Sequence, residues 1–163
     1  MLPTLLAAAL AVPVPAPTAP NAKAVRAAVT RALEPLRAGA TGHADQKTCF
    51  ACHNQAPPML AFATARDRGF DLPPSLFTAQ AEHVAAFLDS NRDKFLEGKG
   101  TGGQADTAGY ALFTLELAGH TPDAATAAVA GYLLNLPGDR DHWRATSNRP
   151  PTEASSFTTT YFA

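Results

Sequence analysis

The chain has 163 residues, with 13 Lys and Arg against 14 Asp and Glu and no run of basic residues. This near-neutral balance argues against nucleic acid or an anionic membrane surface as a partner. Charged residues make up only 17% of the chain, and its many alanines favour helices over strands, so we predict an all-α fold.

Residues 1–20 are uncharged and almost wholly apolar or proline. Their apolar run from Leu5 to Val12 is too short to span a bilayer, which takes about 20 residues. The run suits the core of a secretory signal peptide that is cleaved at Ala9-Leu10-Ala11. The basic segment that normally precedes such a core is missing, and a disordered proline-rich tail is the alternative. We predict export to the periplasm or the medium, with no stable membrane span once the signal is removed.

One helical domain is predicted over residues 21–163. Its first helix runs from Asn21, the N-cap, to Arg37, and the glycines at 39 and 42 are expected to end it. Further helices are expected at 59–68, where Gly69 ends the helix, at 74–95, 105–118 and 122–136, and from 152 onwards. The helix at 105–118 is apolar nearly all round, which predicts burial on several sides. At 122–136, Thr121 is the expected cap and Pro122 the first residue.

The loop between the first two predicted helices holds Cys49-Phe50-Ala51-Cys52-His53, which is the C-x-x-C-H pattern of c-type haem attachment. In such sites the two thiols add across the haem vinyl groups, and the adjacent histidine becomes the proximal iron ligand. Cys49 and Cys52 are the only cysteines in the chain. The pattern therefore predicts haem c bound by Cys49, Cys52 and His53. Export agrees with this prediction, because such haem is attached in an oxidising compartment outside the cytoplasm.

Two other interpretations of the cysteine pair remain open. A disulfide or a thioredoxin-like dithiol would need a βαβ context. Half of a zinc site would need a second Cys or His pair at tight spacing. The other histidines are His43, His83, His120 and His142, and they are too scattered in sequence to form such a pair.

The apolar helices that begin near residues 57, 105 and 151 recur at about 46 to 48 residues, a period typical of arrays of helix pairs. The stretches TCFACHNQAPPMLAFATARDRGF, ADTAGYALFTLELAGH and WRATSNRPPTEASSFTTTYFA resemble secreted bacterial proteins that join a C-x-x-C-H loop to squalene-cyclase-like repeats. More broadly, they resemble the α/α toroid of terpene cyclases and prenyltransferase β-subunits.

This resemblance implies tandem helical hairpins, as in part of an α/α toroid, with the apolar helices forming the inner layer. The chain is expected to be a fragment, because a full toroid has about twice as many hairpins. The D-x-D-D and Q-x-x-D-G-x-W motifs of the cyclases and the zinc ligands of the prenyltransferases are absent from the sequence. We therefore expect electron transfer with an unidentified redox partner. The alternatives are a non-haem binding or scaffold module with a C-x-x-C disulfide, an isoprenoid-related enzyme remnant, and a haem peroxidase.

A six-coordinate haem needs a second axial ligand, usually Met or His. Met59 lies only six residues after His53, a tether too short to reach the opposite face of the ring, so we expect Met59 in the core. If the inner helices run parallel, His142 and His43 lie at the haem end of the molecule. His142 is then the predicted distal ligand and His43 the second choice. A five-coordinate iron is the alternative.

Parallel inner helices would place His83 and His120 towards the far end. In the loop before the last helix, Trp143, Arg144 and Arg149 suit the ring edge and its propionates, or else form an ordinary polar loop. Asp106 and Glu153 are both expected in the first turn of an inner helix, where the helix dipole stabilises a carboxylate without any catalytic role.

Overall fold

Alanine-rich segments interrupted by Gly, Pro and Asn form the helices of a computed structural model, which describes residues 21–136, 141–150 and 152–163. The helices are α1 (Ala22–Gln46), α2 (Cys52–Asp67), α3 (Pro74–Ser90), α4 (Arg92–Leu96), α5 (Ala105–Ala118), α6 (Ala124–Asn135) and α7 (Ser156–Phe162). The described residues hold no strand, only an isolated bridge between Arg149 and Glu153. The predicted all-α fold is confirmed.

The predicted signal peptide at residues 1–20 lies outside the described residues. Of the helices in the described part of the chain, none combines the length and the apolar character that a membrane span requires.

The first helix begins where predicted but is longer. The Asn21 side chain accepts a hydrogen bond of 2.9 Å from the Lys23 amide, as an N-cap should. The prediction that Gly39 and Gly42 end the helix was wrong, since α1 continues to Gln46. Packing explains the extension. Ala40 is fully buried in a cluster with residues of α2 and α3, and such burial overrides the low helix propensity of nearby glycines.

The second helix begins at Cys52, whereas the sequence predicted Met59. Ala51 is its N-cap, and the Ala51 carbonyl accepts from the amides of Asn54 and Gln55 at 3.1 and 3.0 Å. The two prolines that were expected to open the helix lie within it instead. Gly69 ends it as predicted, with a left-handed φ of 75° that only glycine adopts without strain.

Asn91 divides the predicted helix 74–95 into α3 and α4. Its side-chain amide donates to the Phe87 carbonyl at 2.9 Å. Asparagine side chains often form such bonds to nearby backbone groups, and these bonds compete with those of the helix. The range of α5 matches the prediction, and so does its burial. In α6 the cap is Asp123 rather than Thr121, because its carboxylate forms a capping box with Thr126.

The last helix begins at Ser156 rather than at Thr152. Thr152 and Glu153 precede it in a short turn. Two backbone bonds close this turn, between the Arg149 amide and the Glu153 carbonyl at 2.6 Å and between the Glu153 amide and the Arg149 carbonyl at 3.0 Å. The prediction that Glu153 lies in a helix was therefore wrong, because the turn satisfies its backbone in another way.

The central helix is α5, which packs against α2, α3, α6 and α7. One core cluster surrounds it and includes Leu88, Phe95 and Val129. A second cluster lies between α1, α2 and α3, and there Met59 and Phe62 are fully buried. The predicted core position of Met59 is confirmed.

Candidate functional site

The cysteine-containing segment comprises the connection between α1 and α2 and the first turn of α2. Cys49 is exposed in the connection, whereas Cys52 is the first residue of α2 and only 3% exposed. Neither is in a disulfide; both are free thiols. His53 follows in the first turn of α2 and is exposed. The three residues therefore present one buried thiol, one accessible thiol and one accessible imidazole.

All three residues line one cavity of about 440 Å³, a volume typical of small-molecule sites, which range over about 300–1,000 Å³. Its buried side is formed by Cys52, Thr107 and Glu153. The remaining lining residues are Cys49, Phe50, Ala51, His53, Phe87, Asn91, Lys94, Thr101, Gly102 and Arg149. The cavity thus joins residues of α2, α3, α4 and α5 to the turn before α7.

Two histidines contact the Cys49 carbonyl. His43 Nε2, from the last turn of α1, lies 2.7 Å from this oxygen, and His83 Nε2, from α3, lies 3.2 Å from it. Because a carbonyl oxygen only accepts, both rings present an Nε2–H to it. The ring centroids are 5.7 Å apart. His83 was expected towards the far end of the molecule, and this was wrong because α3 packs against α1 and brings His83 beside the cysteine loop.

Buried amides hold the other side of this loop. The Ala51 amide donates to Gln55 Oε1 at 3.0 Å, Gln55 Nε2 donates to Gln80 Oε1 at 3.3 Å, and Gln80 Nε2 donates to the Ala40 carbonyl at 3.3 Å. Gln55 and Gln80 are 0% and 1% exposed. A buried polar chain in which each member has a partner makes a structure rigid and specific.

The environment of Cys52 keeps its thiol protonated. Burial, followed by the nearby Glu153 carboxylate, raises the pKa of Cys52 from 9.0 to about 12. The Thr107 hydroxyl lies 4.0 Å from Sγ. Reactive redox cysteines have lowered pKa values, whereas buried neutral ones are inert as nucleophiles. The setting of Cys52 does not favour the dithiol interpretation.

This raised pKa predicts a loss of stability in alkali. The Cys52 thiol ionises from about pH 9 in the unfolded chain but only towards pH 12 in the folded protein. Its contribution to the free energy of unfolding is therefore complete below pH 9 and is lost as the pH rises towards 12. Burial also raises the pKa of Tyr110, to about 12, so this residue likewise lowers stability in alkali. We expect the urea midpoint to fall between pH 9 and 11, and to fall less in Cys52→Ala than in the matched Cys49→Ala variant. An identical fall in both variants would contradict the assignment to Cys52.

Two buried carboxylates lie near Cys52; Glu153 lines the cavity, whereas Asp106 does not. Glu153 is 2% exposed; its Oε2 accepts from Arg149 Nη2 at 2.5 Å and also from the Ser147 hydroxyl. Asp106 is 1% exposed and accepts from the Thr159 hydroxyl. Burial raises the pKa of the Asp106 carboxyl. Asp106 does lie in the first turn of α5, as predicted.

The structure separates His142 from this cavity. His142 lines another groove of about 490 Å³ beside α7, together with Asp141, Ser156, Phe157, Thr160 and Tyr161. His43, the second choice for the distal ligand, directs its Nε2 at the Cys49 carbonyl. His120 lies beyond the C-terminal end of α5, where its Nε2 is 3.1 Å from Asp123 Oδ2.

Of the three loop residues predicted to face a haem, Arg149 lines the cavity. Trp143 packs elsewhere, because its Nε1 donates to the Leu133 carbonyl at 3.1 Å and its amide donates to the Thr160 hydroxyl at 3.0 Å. Arg144 is exposed and is not among the lining residues that the structure describes.

Sequence reasoning did not identify Gln55, Gln80 or Lys94 as residues of this site. Gln80 did carry a signal, since it is a polar residue on the apolar face of α3, three residues after Phe77 and four before Val84. A polar residue on such a face is informative because it needs a buried partner. Lys94 carried no local signal.

Within residues 21–136, 141–150 and 152–163, no three His, Cys, Asp or Glu side chains are grouped so that they could hold a metal ion. No protein-family model matches the chain, and no curated protein or solved structure matches it either.

Proposed function

We propose that the chain is an exported c-type haem protein that transfers electrons to or from a redox partner. Its haem is held by Cys49, Cys52 and His53 on a helical scaffold similar to that of the squalene cyclases. One observation carries the proposal. The two cysteines of the C-x-x-C-H pattern are both free, and they line a single cavity together with the adjacent histidine.

The lining of the cavity suits a porphyrin. The Phe50 and Phe87 rings, 6.1 Å apart between centroids, supply apolar contact area. Lys94 supplies a cation on the exposed side, and Arg149, whose Nη2 bonds Glu153, has further N–H donors there; carboxylates such as propionates can be paired with such groups. When bound, haem supplies one-electron redox chemistry. The chain supplies the thioether sulfurs at Cys49 and Cys52 and the proximal imidazole of His53.

The arrangement of burial around the cavity suits electron transfer. Cys52, Thr107 and Glu153 shield one side from water, and exclusion of solvent is one of the factors that set a haem potential. Cys49, His53 and Lys94 leave the other side open, so a partner protein can approach there.

Helix packing supports the cyclase-like scaffold. The three helices predicted as an inner layer correspond to α2, α5 and α7, and α5 packs against both of the others. The helices predicted as an outer layer correspond to α3 and α6, which pack against each other and against α5. This order is the one expected of consecutive hairpins that stack side by side.

The test is to express the chain with an export signal in a host that matures c-type cytochromes. The reduced pyridine haemochrome spectrum and the intact mass are then recorded. We expect an α-band typical of two thioethers and a mass raised by one haem. A colourless protein with the bare mass of the chain would overturn the proposal. A mass lower by two hydrogens would identify the disulfide-containing scaffold module instead.

The sixth iron ligand is decided by His142→Ala in the same host. A change from a low-spin to a high-spin spectrum would identify His142 as the distal ligand. His142 lines a different groove from the cavity, so we expect an unchanged spectrum. That result would mean that another group occupies the sixth coordination position of the iron, or that the iron is five-coordinate. His120→Ala is the matched control, because His120 lies at the Asp123 cap of α6.

A further inference from the structure

We propose that His43 and His83 are positioning residues that fix the Cys49 peptide and thereby keep the two thiols in different environments. Cys49 is held at the solvent edge of the cavity, and Cys52 at its buried side. The proposal concerns the cysteine loop before any haem is attached. Only its consequence for haem attachment rests on the function proposed above.

The first observation is the convergence of two donors on one acceptor. His43 and His83 come from different helices, and both point Nε2 at the Cys49 carbonyl, at 2.7 and 3.2 Å. A carbonyl oxygen has two lone pairs, so two donors can use its full capacity. Both rings are only partly buried, so packing alone does not dictate their orientation.

The second observation is that α1 and α3 also bind the other end of the loop, through residues one helical turn before the two histidines. On α1, the Ala40 carbonyl lies three residues before His43; on α3, Gln80 lies three residues before His83. Residues three apart share one face of a helix. Gln80 donates to the Ala40 carbonyl and accepts from Gln55, and Gln55 in turn accepts from the Ala51 amide.

The segment from Cys49 to Ala51 is therefore held at both ends by matched positions on α1 and α3. The Cys49 carbonyl is held through His43 and His83, and the Ala51 amide through Gln55. Phe50, between them, is buried against Phe87. A loop fixed in this way cannot rotate to expose Cys52 unless these bonds open. Attachment at Cys52 therefore requires this loop to open. Because the bonds from His43 and His83 can re-form, they return the Cys52 sulfur to one place relative to Cys49, as the second thioether of a C-x-x-C-H site requires.

The first test uses the haem-free chain and measures alkylation of Cys52 by iodoacetamide in a Cys49→Ala background. Because the buried thiol reacts through loop opening, removal of a histidine should accelerate the reaction. We expect the rate to rise roughly fivefold for each of His43→Ala and His83→Ala, the factor that corresponds to about 1 kcal/mol for one hydrogen bond. The double variant should show the product of the two factors.

Three controls make this test decisive. His120→Ala removes a histidine remote from the loop and should leave the rate unchanged. His43→Gln and His83→Gln retain an N–H donor and should recover at least part of the protection, which a purely steric role would not give. Should the double variant lose its far-ultraviolet helix signal, His83→Ala decides, because it removes the longer bond. A Cys52 rate in His83→Ala equal to that in His120→Ala would overturn the proposal.

The second test concerns attachment. In a host that matures c-type cytochromes, the His43→Ala/His83→Ala variant should contain a share of protein with a single thioether, seen as a displaced pyridine haemochrome α-band. A band identical to that of the unmodified chain would overturn the link to attachment. If the unmodified chain itself carries no haem, the proposed function fails, whereas the alkylation result still decides the role of the two histidines.

Discussion

Replacing Cys49 and Cys52 together with alanine is expected to abolish covalent haem. After denaturing acid extraction, the unmodified protein should keep its haem, whereas the double variant should lose all of it. The reason is chemical: these are the only two thiols in the chain, and a thioether needs a cysteine sulfur. The measurement is the haem that remains with the polypeptide, followed by haem-stained electrophoresis and intact mass.

The single variants refine this expectation. Cys49→Ala and Cys52→Ala should each keep one thioether, and each should show a displaced pyridine haemochrome α-band. Cys49 is exposed, whereas the Cys52 thiol is buried and reacts only when the loop opens. We therefore expect Cys52→Ala, which keeps the accessible sulfur, to retain more haem than Cys49→Ala. Covalent haem in the double variant would contradict attachment at these cysteines.

Gly109→Ala is expected to destabilise the protein by about 1–3 kcal/mol, the usual cost of adding a group to a well-packed core. Gly109 lies in the middle of α5 and is buried. A Cβ added there would lie 2.6 Å from the Phe162 carbonyl oxygen and 2.7 Å from its carbon. Because both of these are backbone atoms of α7, side-chain rotation cannot relieve the clash, and α7 must move away from α5.

The matched control is Gly131→Ala, in the middle of α6, where an added Cβ meets nothing within 4 Å. This variant should gain about 0.5–1 kcal/mol, because alanine is the better helix former. Urea unfolding measures both variants. Opposite signs for the two substitutions are expected, and a stabilised Gly109→Ala would contradict the close approach of α5 and α7.

The fluorescence of Trp143 shows whether Gly109→Ala displaces α7. It is the only tryptophan in the chain, and its backbone amide and carbonyl both bond to the Thr160 hydroxyl in α7, at 3.0 and 3.2 Å. Displacement of α7 should therefore shift the Trp143 emission before the remaining helices unfold. The Arg149–Glu153 turn leads into α7, so the same variant should also retain less haem.

The sequence predicted correctly those helix ends that are decided by residues within a few positions of the end. Asn21 caps α1 through the Lys23 amide, and Gly69 ends α2 because it can adopt a positive φ. The range of α5 followed from its apolar run and from Gly119, which is left-handed in the structure. These features depend on hydrogen bonds and backbone sterics that the adjacent residues decide by themselves.

Helix limits that depend on packing were predicted wrongly. The extension of α1 past Gly39 and Gly42 follows the burial of Ala40 against neighbouring helices. The early start of α2 at Cys52 accompanies a bond from the Ala51 amide to Gln55 that is secured by Gln80 on another helix. Propensity makes only a small contribution per residue, and burial in a core outweighs it.

The sequence by itself determined an all-helical protein, a deeply buried α5 and a pair of cysteines whose spacing indicates covalent haem. Tertiary structure alone decided that Cys52 is buried beside Glu153 while Cys49 is exposed, and that His83 contacts the Cys49 carbonyl. His83 and Cys49 are 34 residues apart in the chain. Local patterns extend over one or two helical turns, whereas contacts over such distances exist only once α1, α3 and α5 have packed together.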